Sequence, residues 1–440
     1  MSNQKVVTRF APSPTGLLHL GTYRTAIFAY LYAKHHGGEF ILRIEDTDPA
    51  RDKKEYEDNI LESFKWLGLT YDKFYRQSEH VDKYKFYIDK LIALGHAYIS
   101  KEQAKDGSGV MRELVRFKNP NTDVTFHDEI KGKITTNTTD LGDFVIARSP
   151  TEPLHHLAVV VDDFEEGVTH VIRGEDLTSN TPRQVLIQRA IGAPTPVYAH
   201  LPLVLGPDKL KLSKRRGALP ALEYKKLGFL PEGILNGVAF VGWNPGTDKE
   251  IFTPEELIKA FDLTRVQKSP AALSNEKLEW FNKEHMKLLP KEEIEKNILT
   301  RLPENLQNIK LVPMIFERIS KWSDVDTMVR GGELDFFATA PKIEKEKLNF
   351  KNTSEEVTKQ NIALAIKVLN EIDEKDFTQE NIKNSLVEIA NASEKRGAVL
   401  HPIRYALSGL DKSPDPFIIS EVLGKNETLS RLQKASELTV

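Results

Sequence analysis

Two prolines and two glycines interrupt the stretch Thr8-Arg9-Phe10-Ala11-Pro12-Ser13-Pro14-Thr15-Gly16-Leu17-Leu18-His19-Leu20-Gly21-Thr22. On its near side, Val6, Val7 and Phe10 make a short apolar, β-prone run. On its far side, Tyr23, Ile27, Tyr30 and Leu31 recur at helical spacing until Gly37-Gly38. The spacing predicts a strand over 5–10, an extended loop, and a helix over about 19–36. Pro12 and Pro14 stiffen the loop, and Gly16 and Gly21 let a ligand approach the backbone. The helix that follows begins with unsatisfied N–H groups and a positive dipole end, which suits a phosphate. His19 stands at that end as a neutral or positive donor. Alone, His-x-Gly fits an ordinary βα turn with a surface histidine better, because such tripeptides occur by chance.

The stretch is not alone. After a second βαβ pattern comes Lys211-Leu212-Ser213-Lys214-Arg215, inside a loop from Pro207 to Gly217 that carries five cations in the eight residues Lys209 to Arg216. Such a run is usually a solvated face. The Ser213 hydroxyl, with Gly206, Pro207 and Gly217 around it, reads here as a loop that grips phosphate.

The pair resembles the two signatures of class I aminoacyl-tRNA synthetases: His19-Leu20-Gly21-Thr22 stands for one and Lys211 to Arg215 for the other. With Arg43-Ile44-Glu45-Asp46-Thr47-Asp48, the string is similar to that of the glutamyl-tRNA synthetases. The resemblance runs along almost all 440 residues, strongest over 6–70 and 140–285. It implies an α/β Rossmann-like catalytic domain with a mixed α/β insertion, followed by an all-α C-terminal half. The expected parts are 1–75, first catalytic half; 76–155, an insertion that binds the tRNA acceptor end; 156–225, second catalytic half with the cationic loop; 226–320, a helical stem-contact domain; and 321–440, a helical anticodon-binding domain.

Local patterns fill in that outline. Phe40 to Ile44 reads as the second strand, followed by a helix from about Lys53 to Leu67 that closes with Gly68. Leu114 to Lys118, Val124 to Phe126 and Leu141 to Ile146 read as insertion strands. Leu157-Ala158-Val159-Val160-Val161 is a continuous apolar run, taken as a buried parallel strand, and Val168 to Ile172 as another. Thr181 reads as an N-cap with Pro182 at the first helical position, and Thr253-Pro254-Glu255-Glu256 repeats that pattern.

The resemblance also implies roles. His19, Lys211 and Lys214 are expected to be catalytic. Ser13, His19, Gly21, Lys211, Ser213 and Lys214 should bind ATP. Arg9, Ser13, Glu45, His155 and Arg173 should bind glutamate, with Arg9 and Arg173 the candidates for its side-chain carboxylate and Glu45 for the ammonium. Mg²⁺ would accompany ATP. Asp162 and Asp163 are read as carboxylates within its reach or, equally, as turn residues. Two positions depart from the family: His155 stands where a tyrosine is usual, and Leu177 where histidine or tryptophan is common. Glutamate activation is expected to require tRNA.

Composition bounds the rest. There are no cysteines, so disulfides, thiolate zinc sites and a cysteine nucleophile are excluded, and no zinc is expected. Net charge is −3, so a tRNA must be met by local Lys/Arg patches rather than by an overall positive field. No signal-like N-terminus or long apolar run is seen, which implies a cytoplasmic protein with no membrane association; a monomer is expected. The expected partners are L-glutamate and tRNA(Glu), with tRNA(Gln) as a second acceptor in the non-discriminating alternative. Three relatives compete. A short paralogue that modifies queuosine in tRNA(Asp) lacks an anticodon domain. A glutaminyl enzyme usually carries β-barrel anticodon domains. A tRNA-binding paralogue could have kept the fold and lost the chemistry.

Overall fold

The computed structural model describes residues 5–48, 50–103, 110–206, 208–212 and 219–438. Two compact units divide it, Met1–His285 and Met286–Val440.

The first unit starts with β1 (Val7–Phe10), α1 (Leu20–His35), β2 (Glu39–Ile44), α2 (Lys54–Leu67) and β3 (Lys73–Arg76). The strands are parallel, with Phe10 opposite Leu42 and Ile44 opposite Arg76. Phe40 to Ile44 are all buried, as expected of a strand covered on both faces. Tyr23, Ile27, Phe28 and Leu31 of α1 are wholly buried among them. Gly68 ends α2 in the left-handed conformation, with φ 69°, its N–H returning to the Lys65 carbonyl.

The insertion follows α3 (Val81–Ala93). Strands β4 (Ala97–Gln103), β5 (Met111–Phe117), β8 (Phe144–Ser149) and β9 (Glu152–Pro153) form one antiparallel sheet in that order. Between β5 and β8 lies a hairpin of β6 (Asp123–Asp128) and β7 (Gly132–Asn137).

The chain then makes α4 (His155–Glu165), β10 (His170–Gly174), α5 (Thr181–Ile191) and β11 (Val197–Leu201). β10 and β11 are parallel, and the β6 end of the hairpin joins β11 at Asp128 opposite Tyr198. β10 lies against β1: Thr169 N–H donates to the Val7 carbonyl at 2.9 Å, and Val7 N–H to Thr169 Oγ1 at 2.8 Å. The two catalytic halves therefore meet between β1 and β10. In such sheets ligands settle outside the strand ends at this kind of junction.

Two expectations are corrected. Leu157 to Val161 is not a strand but the middle of α4. All five residues are buried, so the helix is apolar on every face there, and a run of five cannot tell a buried strand from a buried helix. Thr181 is the first residue of α5 rather than its cap. A 3₁₀ turn over Glu175–Asn180 precedes it, and its hydroxyl serves another purpose described below. At Thr253 the expected cap is present: Oγ1 accepts from Glu256 N–H at 3.3 Å, and the Glu256 carboxylate accepts from Thr253 N–H at 3.0 Å.

In the second unit every regular element from Lys291 to Leu438 among the described residues is helical. Ile362, Leu369, Leu386, Ile403, Ile419 and Leu432 form its core. Arg431 is buried there and holds the carbonyls of Phe336 and Leu407 at 2.6 and 2.8 Å. Gly397 is required where it stands, since a Cβ would meet the Phe350 ring at 2.4 Å. Among the described residues no helix is long and apolar enough to cross a membrane.

Candidate active site

A cavity of about 330 Å³ opens where β1 and β10 end, and Arg9, His19, Gly21, Glu45, His155, Arg173 and Lys211 all line it. Ser13 is exposed and is not among the lining residues. Ser213 and Lys214 lie outside the described residues.

The two arginines differ in their company. Arg9 gives Nε and Nη2 to the two oxygens of Asp163, at 3.2 and 3.4 Å. Arg173 has no carboxylate in contact among the described residues. Its Nε donates to His200 Nε2 at 3.1 Å, its Nη2 to Thr181 Oγ1 at 2.7 Å, and its guanidinium lies 5.4 Å from the centre of the Tyr198 ring. Only 4% of it is exposed. Burial pulls its pKa down to about 10. It remains charged at neutral pH, and a buried cation with no carboxylate in direct contact is suited to receive an anion.

Glu45 sits between Arg43 and His155. Its Oε1 lies 3.2 Å from Arg43 Nη2, and its Oε2 lies 3.3 Å from His155 Nδ1. Burial pushes its carboxyl up, but the His155 hydrogen bond and Arg43 outweigh that and hold it below the usual range. Glu45 is thus an anion at the cavity wall, suited to an ammonium. His155 is the first residue of α4 and is 46% exposed on its side chain.

Asp162 and Asp163 are both engaged by protein side chains. Asp163 holds Arg9 and also Arg43 Nη1, at 2.7 Å. Asp162 is fully buried and accepts from Gln77 Nε2 at 2.6 Å and from the Tyr84 hydroxyl at 2.9 and 3.0 Å. Sitting in the last turns of α4 rather than after a strand, both face inward; their place in a helix is what the apolar run concealed. Burial raises the Asp162 pKa despite Arg43 nearby. The Asp163 pKa is held low, because Arg9 and Arg43 outweigh its burial.

The described residues of the two signature stretches, His19 to Thr22 and Lys211 to Leu212, lie close together. His19 is the N-cap of α1, and its Nδ1 accepts from Thr22 N–H at 3.3 Å. That fills one of the donors the loop-to-helix pattern promised. A Cβ at Gly21 would meet His19 Nδ1 at 3.0 Å and Leu212 Cδ2 at 3.3 Å, so Leu212 packs closely on the start of α1. The His19 backbone bridges Pro220, which follows the cationic loop in the chain. Lys211 Nζ pairs with Asp176 at 2.7 Å, and both line the cavity.

Sequence reasoning overlooked Arg43, His200, Thr181 and Asp128 as parts of this site. Arg43 had a visible signal: it stands two before Glu45 on a strand, so both side chains share one face. The buried Arg24, which lines the cavity and donates to the Pro202 carbonyl at 2.6 Å, was also overlooked.

The chain matches the catalytic domain of the class I tRNA synthetases (E and Q) over residues 5–106 and 99–280, and an anticodon binding domain over 273–436. It is similar to the glutamate–tRNA ligase of Aquifex aeolicus, 40% identical over 98% of this chain and 99% of that one. The glutamate–tRNA ligase of Thermodesulfovibrio yellowstonii is 39% identical over the same shares. Among solved structures, a glutamate tRNA ligase from Elizabethkingia meningosepticum, in complex with its amino acid, superposes with a TM-score of 0.85 at 33% identity, covering 99% of both chains. With the cavity at the β1/β10 junction and these full-length likenesses, the chain belongs to the class I tRNA synthetases of the glutamate and glutamine group, and within it to the glutamate–tRNA ligases.

Proposed function

We propose that the cavity takes L-glutamate and ATP side by side and that the chain charges tRNA(Glu) in two steps. In the first, an oxygen of the glutamate α-carboxylate attacks the α-phosphorus. The bond to pyrophosphate breaks, and glutamyl-adenylate forms. The nucleophile is already an anion, so alignment and charge neutralisation carry the step rather than a strong base. Arg173 takes the side-chain carboxylate, with Arg9 beside it, and Glu45 takes the ammonium. His155 braces Glu45. His19 and Lys211 meet the phosphates from two sides, with Gly21 allowing the approach, and Lys214, Ser213 and Ser13 complete the set. Mg²⁺ travels with ATP as part of the substrate, its ligands being phosphate oxygens and water.

In the second step the 2′-hydroxyl of the terminal tRNA adenosine attacks the acyl carbon, and AMP leaves. The proton passes to the departing phosphate, so no protein base is assigned.

The observation that carries this reading is Arg173: a buried cation at the cavity wall with no carboxylate in contact among the described residues. The test is glutamate-dependent exchange between ATP and pyrophosphate in the presence of tRNA, followed by charging of purified tRNA(Glu) and tRNA(Gln). Exchange with glutamate and charging of tRNA(Glu) are expected. Exchange with glutamine instead would refute the assignment, and charging of both tRNAs would identify a non-discriminating enzyme.

A further inference from the structure

A line of buried side chains reaches Arg173 from the insertion. Asp128 is the last residue of β6. Its Oδ1 accepts from Ile130 N–H at 2.9 Å and from Lys131 N–H at 2.8 Å. Its Oδ2 accepts from the backbone N–H of His200 at 3.0 Å and meets His200 Nδ1 at 2.6 Å. An ionised carboxylate only accepts, so Nδ1 carries the ring proton. His200 Nε2 is then an acceptor, and Arg173 Nε donates to it at 3.1 Å. Thr181 Oγ1 lies 3.1 Å from the same Nε2 while accepting from Arg173 Nη2 at 2.7 Å. Asp128, His200 and Thr181 are fully buried.

The arrangement does something a second carboxylate would not. A neutral imidazole orients the guanidinium yet sets no opposite charge directly against it, whereas Asp163 both orients Arg9 and sets a carboxylate against it. Burial keeps His200 in that neutral form, against the pull of the Asp128 hydrogen bond. The turn after Asp128 fastens the cleft a second time. Lys131 Nζ holds Glu175 at 2.6 Å, and Glu175 accepts from the backbone N–H of Leu203, a cavity-lining residue, at 2.8 Å.

We infer that Asp128 and His200 are positioning residues of the glutamate site, holding the plane of Arg173 from a turn of the insertion hairpin. This rests on reading Arg173 as the receptor of the substrate side-chain carboxylate. Arg173→Lys, which keeps a charge but loses the fork, tests that reading first and should raise the glutamate KM.

The full-length enzyme with His200→Leu, His200→Gln and Asp128→Asn is then assayed for tRNA charging, with glutamate and ATP varied separately and folding followed by thermal unfolding. His200→Leu and Asp128→Asn should raise the glutamate KM about tenfold, the scale of one hydrogen bond to a charged group, with the ATP KM nearly unchanged. His200→Gln, whose amide oxygen can stand near the position of Nε2, should recover most of the loss. Adding His200→Leu to Arg173→Lys should cost less than the product of the two single effects, as for residues acting through one another.

If Arg173→Lys raises the glutamate KM but the His200 and Asp128 variants do not, the positioning role is overturned. Parallel rises in the glutamate and ATP KM would overturn it as well, since a merely structural role moves both. If Arg173→Lys itself has no effect, the reading of Arg173 fails instead. Should His200→Leu not fold, His200→Gln and Asp128→Asn decide the matter by the same criteria.

Discussion

Asp163 grips Arg9 through both carboxylate oxygens, at 3.2 and 3.4 Å, and with one of them also holds Arg43 at 2.7 Å. One helix-borne carboxylate thus touches two buried cations from two adjacent strands, and Glu45 shares the second of them. Asp163→Asn would leave both without their nearest anion. Removing one partner of a buried pair typically costs about 3–5 kcal/mol. Urea unfolding should show a loss in that range, and a change below about 1 kcal/mol would mean that Glu45 and Asp162 suffice to hold Arg43.

Lys211 offers the opposite case. Its pair with Asp176 is half exposed at both ends, with side-chain exposures of 55% and 50%, so it adds little stability. Lys211→Ala should unfold at nearly the wild-type temperature while forming adenylate roughly 10²-fold more slowly, the scale for one lost transition-state donor. Lys214→Ala is expected to lose 10²–10³-fold on the same grounds, roughly. Wild-type exchange rates in a folded variant would remove that lysine from the chemistry.

His155 should act on glutamate through Glu45, whose Oε2 lies 3.3 Å from its Nδ1. His155→Ala is expected to raise the glutamate KM by roughly tenfold, about one 1.4 kcal/mol hydrogen bond. His155→Tyr, restoring a flat ring with a polar edge, should stay within about tenfold of wild type. The assay is charging at saturating ATP and tRNA. An unchanged KM in the alanine variant would place His155 outside the binding site despite its position in the cavity wall.

Stability should fall as the pH drops from about 6.5 to about 4. Burial first, then neighbouring cations, lowers His156 from 6.5 to about 4, and burial with His36 does the same to His170. Both rings are neutral in the folded chain over that range and protonated in the unfolded one. The unfolded state therefore binds more protons, and stability rises with pH through the window. Asp163 and Glu45 behave likewise with their own reference values of 3.8 and 4.5, so their share is lost only at lower pH. Urea midpoints across pH 4–7 (about one point per half unit) should show the slope, and His156→Gln with His170→Gln should shrink it. An unaltered slope in the double variant would assign it to other groups.

Much of this was legible in the sequence, for reasons that differ by element. The run from Thr8 to Thr22 announced itself because prolines, glycines and a change of period all fall within a few residues. Arg9, Glu45 and Arg173 stood at strand ends, where parallel sheets present ligands. The α4 segment was misread because a helix buried on all sides has no polar face to mark its period. Asp162 and Asp163 lie in the last turns of that helix, not in a turn after a strand, and there they meet Gln77 and Tyr84, and Arg9 and Arg43, respectively. Asp128 and His200 carried no signal, because what joins them is a strand pairing between segments 72 residues apart.

The sheet junction between β1 and β10 also sets when the enzyme can come into being. Val7 and Thr169 are separated by 162 residues, and Arg9 and Asp163 by 154. A ribosome releases the first three strands long before their partner exists, so a nascent chain can lay down β1 to β3 without owning a cleft. The loop closure that completes the cleft is a long-range and therefore late event. Until then Arg9 and Arg43 have no Asp163 to meet, and the half-made sheet exposes the edge of β1 to other chains.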